Sequence, residues 1–319
     1  MSTKCMRAGN IAVMLLALIM YSCSSKQPEV CFARLEQVIF TTPAADLQSA
    51  LINQQELFET PLLNVDPYNK HYMMMLRDFA SDTSMRYIFH VCDSLYHDLG
   101  WLEKELRSAL GHADGVECNR FFTFVSGDFE DYSRRTLCFD NELAISLDHY
   151  AVAELHAGVP AYIERVSNRE YMAADCMAAI ARANIAMPVR ESDMTLLDFA
   201  IAEGKVLYFL EKTMPRTPDT IRLRYTADQL RWMEQHTEQV WATLLKDGLL
   251  YSTDYAQFHN LIDEAPKTNA FGEGSAPRTP SYIGWRIVRQ YMKKSGATMQ
   301  QLFSETDGQQ ILSKSGWRP

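Results

Sequence analysis

An acidic residue lies on the apolar side of a helical stretch that reads LLDFAIAEGKVLYFL, residues 196–210. A seven-residue spacing puts Asp198, Lys205 and Lys212 on one side of this helix, which we expect to face solvent. Glu203 falls on the opposite side, among leucines and alanines. Burial of a charged carboxylate is costly unless a cation, hydrogen-bond donors or a metal ion meets it. The pattern therefore predicts a specific partner for Glu203, unless this acid lies at the surface edge of the apolar side.

The eight histidines do not have the spacing of a metal site. His90 and His97 are seven residues apart, as are His149 and His156, whereas two imidazoles that bind one ion are usually one helical turn apart. The motifs HExxH and GxSxG do not occur in the sequence. The segment FGEGSAPR, residues 271–278, has two glycines but no lysine, and we expect a surface loop there. We therefore predict no catalytic residue, no metal ligand and no cofactor.

The first residues have the pattern of an export signal. Lys4 and Arg7 precede the uncharged run IAVMLLALIMYSC, and a polar stretch follows it. This order is typical of a bacterial lipoprotein signal peptide, here residues 1–22, which is removed before an acylated Cys23. Residues 23–30 would then form a lipid-anchored tether. The alternative is an ordinary signal peptide cleaved elsewhere, which would leave Cys23 as a plain thiol.

Charge and hydropathy limit the partners of the mature chain. The formal charge is −9, and removal of Lys4 and Arg7 with the signal makes it −11. A negative chain is unsuited to nucleic acid and to anionic lipid, so we expect no nucleic-acid partner and membrane contact through the lipid anchor only. No later segment has about eighteen uncharged apolar residues in a row, as a membrane-spanning helix requires.

Cysteine usage leaves the disulfide question open. Five cysteines follow Cys23, without a CxxC motif. Cys118 and Cys138 flank short strand-like runs and could pair in an oxidising envelope. Buried free thiols are the alternative.

Apolar periodicity predicts helices, then a small sheet, then helices again. Residues 31–40 alternate loosely and predict a strand, and Thr42 followed by a proline predicts a helix start. Three runs rich in aromatic and β-branched residues predict a sheet of about three strands: RFFTFVSG, RRTLCFD and ELAISLDHY. Helical patterns cover three stretches within 67–109, then 161–185, 194–213, 226–247 and 281–294, followed by two short turns. We therefore predict an α+β, mostly helical single domain over residues 31–319.

Six strings occur in an order that resembles the GldB family of gliding-motility lipoproteins: NELAISLDHYA, EGKVLYFLEKTMP, YTADQLRWMEQHTEQVWATLLKDGLLYSTD, APKTNAF, SYIGWRIVRQYM and ILSKSGWRP. The resemblance covers most of the chain from about Cys31. It implies a lipid-anchored cell-envelope protein, in the outer membrane, with envelope protein partners in the gliding and type IX secretion machinery. The loop at 266–280 departs from the family's pattern.

A more distant resemblance concerns Glu203. The string AEGKVLYF is similar to the EGxAxY-like string of gluzincin-type zinc peptidases, whose Glu is the third zinc ligand, and SYIGWRIV is similar to their GYxxG string. Here the position suited to HExxH is occupied by residues 175–179, which begin with Asp175. This resemblance implies a zincin-like scaffold that has lost its metal. Glu203 would be a relic of the site, paired by Arg182, Arg286 or a backbone donor.

The function predicted from these observations is that of a non-catalytic scaffold or binding protein of the envelope, a pseudoenzyme. One alternative is a zincin-like hydrolase with unrecognised metal ligands. Another is a module that binds a peptide or glycan in the former peptidase cleft. The candidates for the former site and its cleft are Glu203, Asp175, Tyr208, Tyr282 and Arg286, with Trp285 as a further lining candidate. The aromatic residues among them could equally be core residues.

Overall fold

The structure is a computed structural model that describes residues 28–156, 158–188 and 193–319. Cys23, the predicted signal peptide and most of the predicted tether lie outside the described residues. No helix in the described ranges is long and apolar enough to cross a membrane.

A four-stranded mixed sheet forms one part of the domain. Its strands are β1 (Phe32–Arg34), β2 (Arg120–Phe124), β3 (Thr136–Phe139) and β4 (Glu142–Ser146). The spatial order is β1-β2-β4-β3, with β1, β2 and β4 parallel and β3 antiparallel to β4. Every residue of β4 is buried, whereas β3 alternates between half-buried and exposed residues. β3 is therefore the edge strand of this sheet, with one face partly exposed.

Six helices connect the parallel strands β1 and β2, as a parallel pair requires a long crossover. They are α1 (Leu35–Thr41), α2 (Leu47–Asn53), α3 (Gln55–Phe58), α4 (Lys70–Ser81), α5 (Thr83–Tyr96) and α6 (Gly100–Leu110). Asn69 and Asp82 cap α4 and α5 by accepting hydrogen bonds from the first backbone N–H groups.

In the part of the chain that the structure describes, ten α-helices follow the sheet. They are α7 (Val152–Leu155), α8 (Ala161–Glu164), α9 (Arg169–Asn184), α10 (Leu196–Thr213), α11 (Asp219–Leu223), α12 (Ala227–Lys246), α13 (Tyr255–Ile262), α14 (Thr279–Ser295), α15 (Met299–Ser304) and α16 (Gly308–Ser315). The predicted α+β, mostly helical fold with a small sheet is thus confirmed.

Three predicted elements are wrong in detail. Only three residues of the predicted strand at 31–40 are extended, because Leu35, Ile39 and Phe40 share one buried face at helical spacing in α1. The helix predicted to begin at Thr42 begins at Leu47. The helix predicted over 161–185 is two helices, α8 and α9.

The second of these helices, α9, is buried over most of its length. Residues 171–181 are all buried, and small alanines dominate the stretch. The helix contacts the edge strand β3 on one side and α10 on another. Its side chains therefore face both the sheet and the C-terminal helices.

Helices α10 and α14 cross with their backbones in contact. A Cβ atom on Gly204 would lie 2.3 Å from the carbonyl carbon of Gly284. A Cβ atom on Gly284 would lie 1.7 Å from the carbonyl oxygen of Ala200. Any side chain at either glycine would push the two helices apart, since a backbone atom cannot rotate out of the way as a side chain can.

The predicted solvent side of α10 is wrong for one of its three residues. Lys205 is buried, with 3% of its surface exposed, and its ammonium group donates a hydrogen bond to the carbonyl oxygen of Glu305. Asp198 forms the capping box with Thr195 and also accepts a hydrogen bond from the backbone N–H of Gly308. The C-terminal helices therefore cover this side of α10 at Asp198 and Lys205, whereas Lys212 is exposed. Periodicity within one helix does not show such packing.

The crossing yields a stability prediction. We expect Gly284→Ala to lower the free energy of unfolding by about 3 kcal/mol or more, because the added methyl group forces the helices apart. Denaturant unfolding measures the change. Gly111→Ala is the matched control, since its Cβ atom would meet only ordinary contacts at 3.4 Å. Equal stability of the two variants would contradict the close crossing.

Lys205 yields a pH prediction. Burial lowers its pKa from 10.5 to about 8, although the charges of Glu305 and Asp198 oppose the shift. Between these pH values the unfolded chain binds more protons than the folded chain, so this residue's contribution to stability rises with pH, by about 3 kcal/mol in total. Lys205→Met lacks this titrating group. We therefore expect the original chain to gain unfolding free energy relative to Lys205→Met between pH 7 and pH 10, by that order. A gap independent of pH would be the contrary result.

Candidate functional site

A cleft of about 1050 Å³ opens between the edge strand and the C-terminal helices. Its walls come from β3, α9, α10, the segment around α11 and the segments that flank residues 264 and 278. Five arginines and five acids line it: Arg135, Arg182, Arg222, Arg224, Arg278, Glu130, Asp175, Glu203, Asp263 and Glu264. Among these, the structure brings together the two predicted acids, Asp175 on α9 and Glu203 on α10.

Glu203 is held by an arginine on the neighbouring helix. The Nε and Nη2 groups of Arg182 donate to its two carboxylate oxygens, both at 3.0 Å. Of the three partners considered above, this is the one present. Glu203 keeps 31% of its side chain exposed and Arg182 keeps 51%, so the pair lies at the wall of the cleft and not in the core. Burial raises the pKa of Glu203, but the charges of the surrounding arginines outweigh it and the net pKa is lowered.

Asp175 is held from two sides. The hydroxyl of Tyr150 donates to its Oδ2 at 2.8 Å, and Nη2 of Arg224 bonds its Oδ1. Burial raises the pKa of Tyr150 well above its ordinary value, and the negative charge of Asp175 adds to that effect. The phenol therefore stays protonated and acts as a donor.

The same Arg224 also binds Glu264, through Nη1. Arg135, the residue directly before β3, approaches the other oxygen of Glu264 at 3.4 Å. Burial raises the pKa of Glu264, but Arg224, Arg278 and Arg135 together lower it to about 2. Glu203 and Glu264 are therefore ionised at neutral pH, and all three inner acids of the cleft are bonded to guanidinium groups.

Arg278 differs from the other inner arginines. Its Nη2 donates to the backbone carbonyl of Leu223 at 2.7 Å, but none of the described carboxylates lies within 4.0 Å of it. Its backbone is left-handed, with φ of 46°, directly before α14, a conformation that it shares with Arg224, whose φ is 58°. Non-glycine residues in this region are strained and occur often at functional sites.

The surface loop predicted for residues 271–278 is only partly exposed. Residues 272–274 are exposed, but residues 275–277 are buried and Arg278 reaches the cleft wall. The other site residues that sequence reasoning missed are Arg135, Tyr150, Arg224 and Glu264. They come from four separate segments and share no spacing, so no local signal could have found them.

Tyr208, Tyr282 and Arg286 do not belong to the cleft lining. Tyr282 is buried against Trp285, whose indole N–H donates to Glu211 at 3.0 Å. Arg286 is exposed and donates to the Tyr282 hydroxyl at 2.8 Å. Tyr208 packs partly on the core and lies beneath the ammonium group of Lys212.

The cysteine pair considered above is close in space. The Cys118 thiol donates to the backbone carbonyl of Arg120 at 3.9 Å. Its interaction with the Cys138 thiol raises the pKa of Cys118 and lowers that of Cys138. Both are free thiols in this structure. Cys138 lies on β3 at the cleft wall.

Over the described ranges, no group of three or more His, Cys, Asp and Glu side chains is arranged to hold a metal ion. Glu203 and Asp175 point at guanidinium groups instead. A cation beside a carboxylate opposes the binding of a second cation by simple repulsion.

The fold and cleft define a mostly helical α+β protein with an ion-paired cleft beside an open sheet edge. The model of the family described as gliding motility protein GldB matches residues 22–319. The chain belongs to this family, which indicates a gliding-motility-associated lipoprotein of the cell envelope. Neither the curated proteins nor the solved structures contained a match.

Proposed function

We propose that this protein is a non-catalytic, lipid-anchored envelope protein that binds a ligand in the cleft described above. Its anchor would be Cys23, its location the outer membrane, and its partners proteins of the gliding and type IX secretion machinery. The observation that carries the non-catalytic part is the bidentate ion pair between Arg182 and Glu203.

The paired acids are poorly suited to acid–base catalysis. A general base works best with a pKa near the operating pH. The pKa of Glu203 is lowered and that of Glu264 is about 2, so both carboxylates are weak bases. Each also has its oxygens bonded to arginine, which keeps them from a substrate proton.

The distant similarity to gluzincins would imply a zinc ion, and the residues present do not fit one. Catalytic zinc needs three protein ligands and an open position. Glu203 and Asp175, the two acids that the similarity places near the metal position, are both bonded to arginines. Among the described residues, no group of three or more potential ligands is arranged around them. A zincin-like scaffold therefore remains a proposal about ancestry, with no step of chemistry attached.

A binding role is supported by the size and shape of the cleft. A volume of about 1050 Å³ is at the upper end for small-molecule sites and suits an extended chain. The residues of β3 line one wall, and the outer edge of this strand pairs with none of the described strands. Peptides commonly bind by adding to such an edge, which favours a peptide over a glycan.

The proposal is tested by an isosteric change at the central acid. We expect Glu203→Gln to keep the gliding or secretion phenotype of the bacterium that carries the protein. The amide still accepts a hydrogen bond from Arg182, so we expect a stability loss of only about 1 kcal/mol for this half-exposed pair. Motility assays and thermal unfolding of the purified protein measure the two effects.

Cys23→Ala is the positive control for this experiment. Loss of the anchor should abolish the phenotype at an unchanged level of protein. If a folded and membrane-bound Glu203→Gln variant loses the phenotype as completely as Cys23→Ala, the carboxylate has a chemical role and the non-catalytic proposal is wrong.

A further inference from the structure

The outer edge of β3 combines backbone hydrogen-bonding groups with exposed apolar side chains. Leu137 is 37% exposed and Phe139 is 59% exposed, and they point to the same side of the strand. Thr136 and Cys138 alternate with them and are half-buried. An uncovered apolar edge strand is a template for another strand, and natural proteins usually protect such edges with charges or bulges. Among the described strands, β3 pairs with β4 alone, and Thr136, Leu137 and Cys138 line the cleft.

A line of charged groups connects this edge with Arg278. Arg135 directly precedes β3 and bonds Glu264. Arg278 lies near enough to Glu264 and Glu203 to lower the pKa of both acids, although it bonds neither. Glu264 is therefore a neighbour of both Arg278 and Arg135, the residue that directly precedes β3.

Arg278 is also the inner cation best placed to receive a ligand. Arg135, Arg182 and Arg224 are each bonded to a carboxylate in the cleft. Arg222 bonds Asp219 on its own helix, and its Nε and Nη1 atoms are buried out of reach. Arg278 is half-buried at the cleft wall and donates one N–H group to the Leu223 carbonyl. Its remaining donors bond no described residue.

We propose that the cleft binds an acidic peptide segment in extended form, whose backbone pairs with the outer edge of β3 and whose carboxylate is bound by Arg278. This inference rests on the proposed binding function and names the chemical class of its ligand. Charge complementarity supports the choice, because a guanidinium group without a carboxylate partner binds a carboxylate in a fixed, directional geometry. The net negative charge of the chain elsewhere would repel such a ligand, so binding depends on the cleft.

The test is selection of peptides on the purified full-length protein. A random heptapeptide library displayed on phage is panned against the immobilised protein and against three variants, Arg278→Gln, Arg278→Lys and Arg231→Gln. Arg231 is an exposed arginine on α12 outside the cleft and serves as the matched control. We expect peptides enriched in Asp or Glu on the original chain and on Arg231→Gln.

Affinities of the selected peptides then measure the role of Arg278. Loss of a charge-assisted hydrogen bond should weaken binding about tenfold to a hundredfold in Arg278→Gln. Arg278→Lys keeps the charge without the bidentate geometry and should lie between. Thermal unfolding checks that each variant is folded. If Arg278→Gln does not fold, the affinity of Arg278→Lys still tests the role of Arg278.

The pairing with β3 is tested on the same peptides by methylation of single backbone nitrogens. We expect a strong loss of binding at alternate positions only, since every second N–H group of an added strand faces its neighbour. Equal effects at all positions would overturn the pairing with β3.

The remaining outcomes separate this inference from the proposed function. Selection of peptides without acids would overturn the acidic ligand and leave a binding cleft. Acidic peptides that bind Arg278→Gln as tightly as the original chain would overturn the role of Arg278. No enrichment above the bare support would overturn both the inference and the binding function.

Discussion

The backbone contact between α10 and α14 is the constraint on which the rest of the structure depends. Gly204 and Gly284 meet where the two helices cross, and neither position has room for a Cβ atom. The crossing fixes Glu203, the residue next to Gly204, at the wall of the cleft. It also fixes the start of α14, and with it Arg278. Two glycines far apart in the sequence thus determine where two of the charged groups of the cleft lie.

The ion pairs of the cleft have a consequence for both stability and function. Partly exposed pairs contribute little net stability, because desolvation offsets much of the attraction. Their effect is on geometry: Arg182 orients Glu203, and Arg224 bridges Asp175 and Glu264 across three segments. The carboxylates of Asp175, Glu203 and Glu264 are thereby bonded to arginines of the same protein. An extended ligand would meet paired charges in a cleft that is also lined by β3, with Arg278 as the inner arginine that bonds no described carboxylate.

Sequence reasoning was most successful where the signal is local. The long helices α10, α12 and α14 and the strands β2, β3 and β4 follow from periodicity. The need of Glu203 for a partner was also predicted, with Arg182 as one of three candidates. It failed where tertiary packing decides. Lys205 is buried because the C-terminal helices cover it, and residues 35–41 form a helix because their apolar face meets the core. The remaining cleft residues come from segments that only the fold brings together.

The most direct test of the ion-paired cleft is a metal analysis of the protein purified without chelator and without added metal, beside Glu203→Ala prepared in the same way. If the cleft acids are committed to arginines, both proteins should hold less than about a tenth of an equivalent of zinc, because a complete three-ligand site keeps its ion through purification. Stoichiometric zinc that is lost in Glu203→Ala would contradict the account.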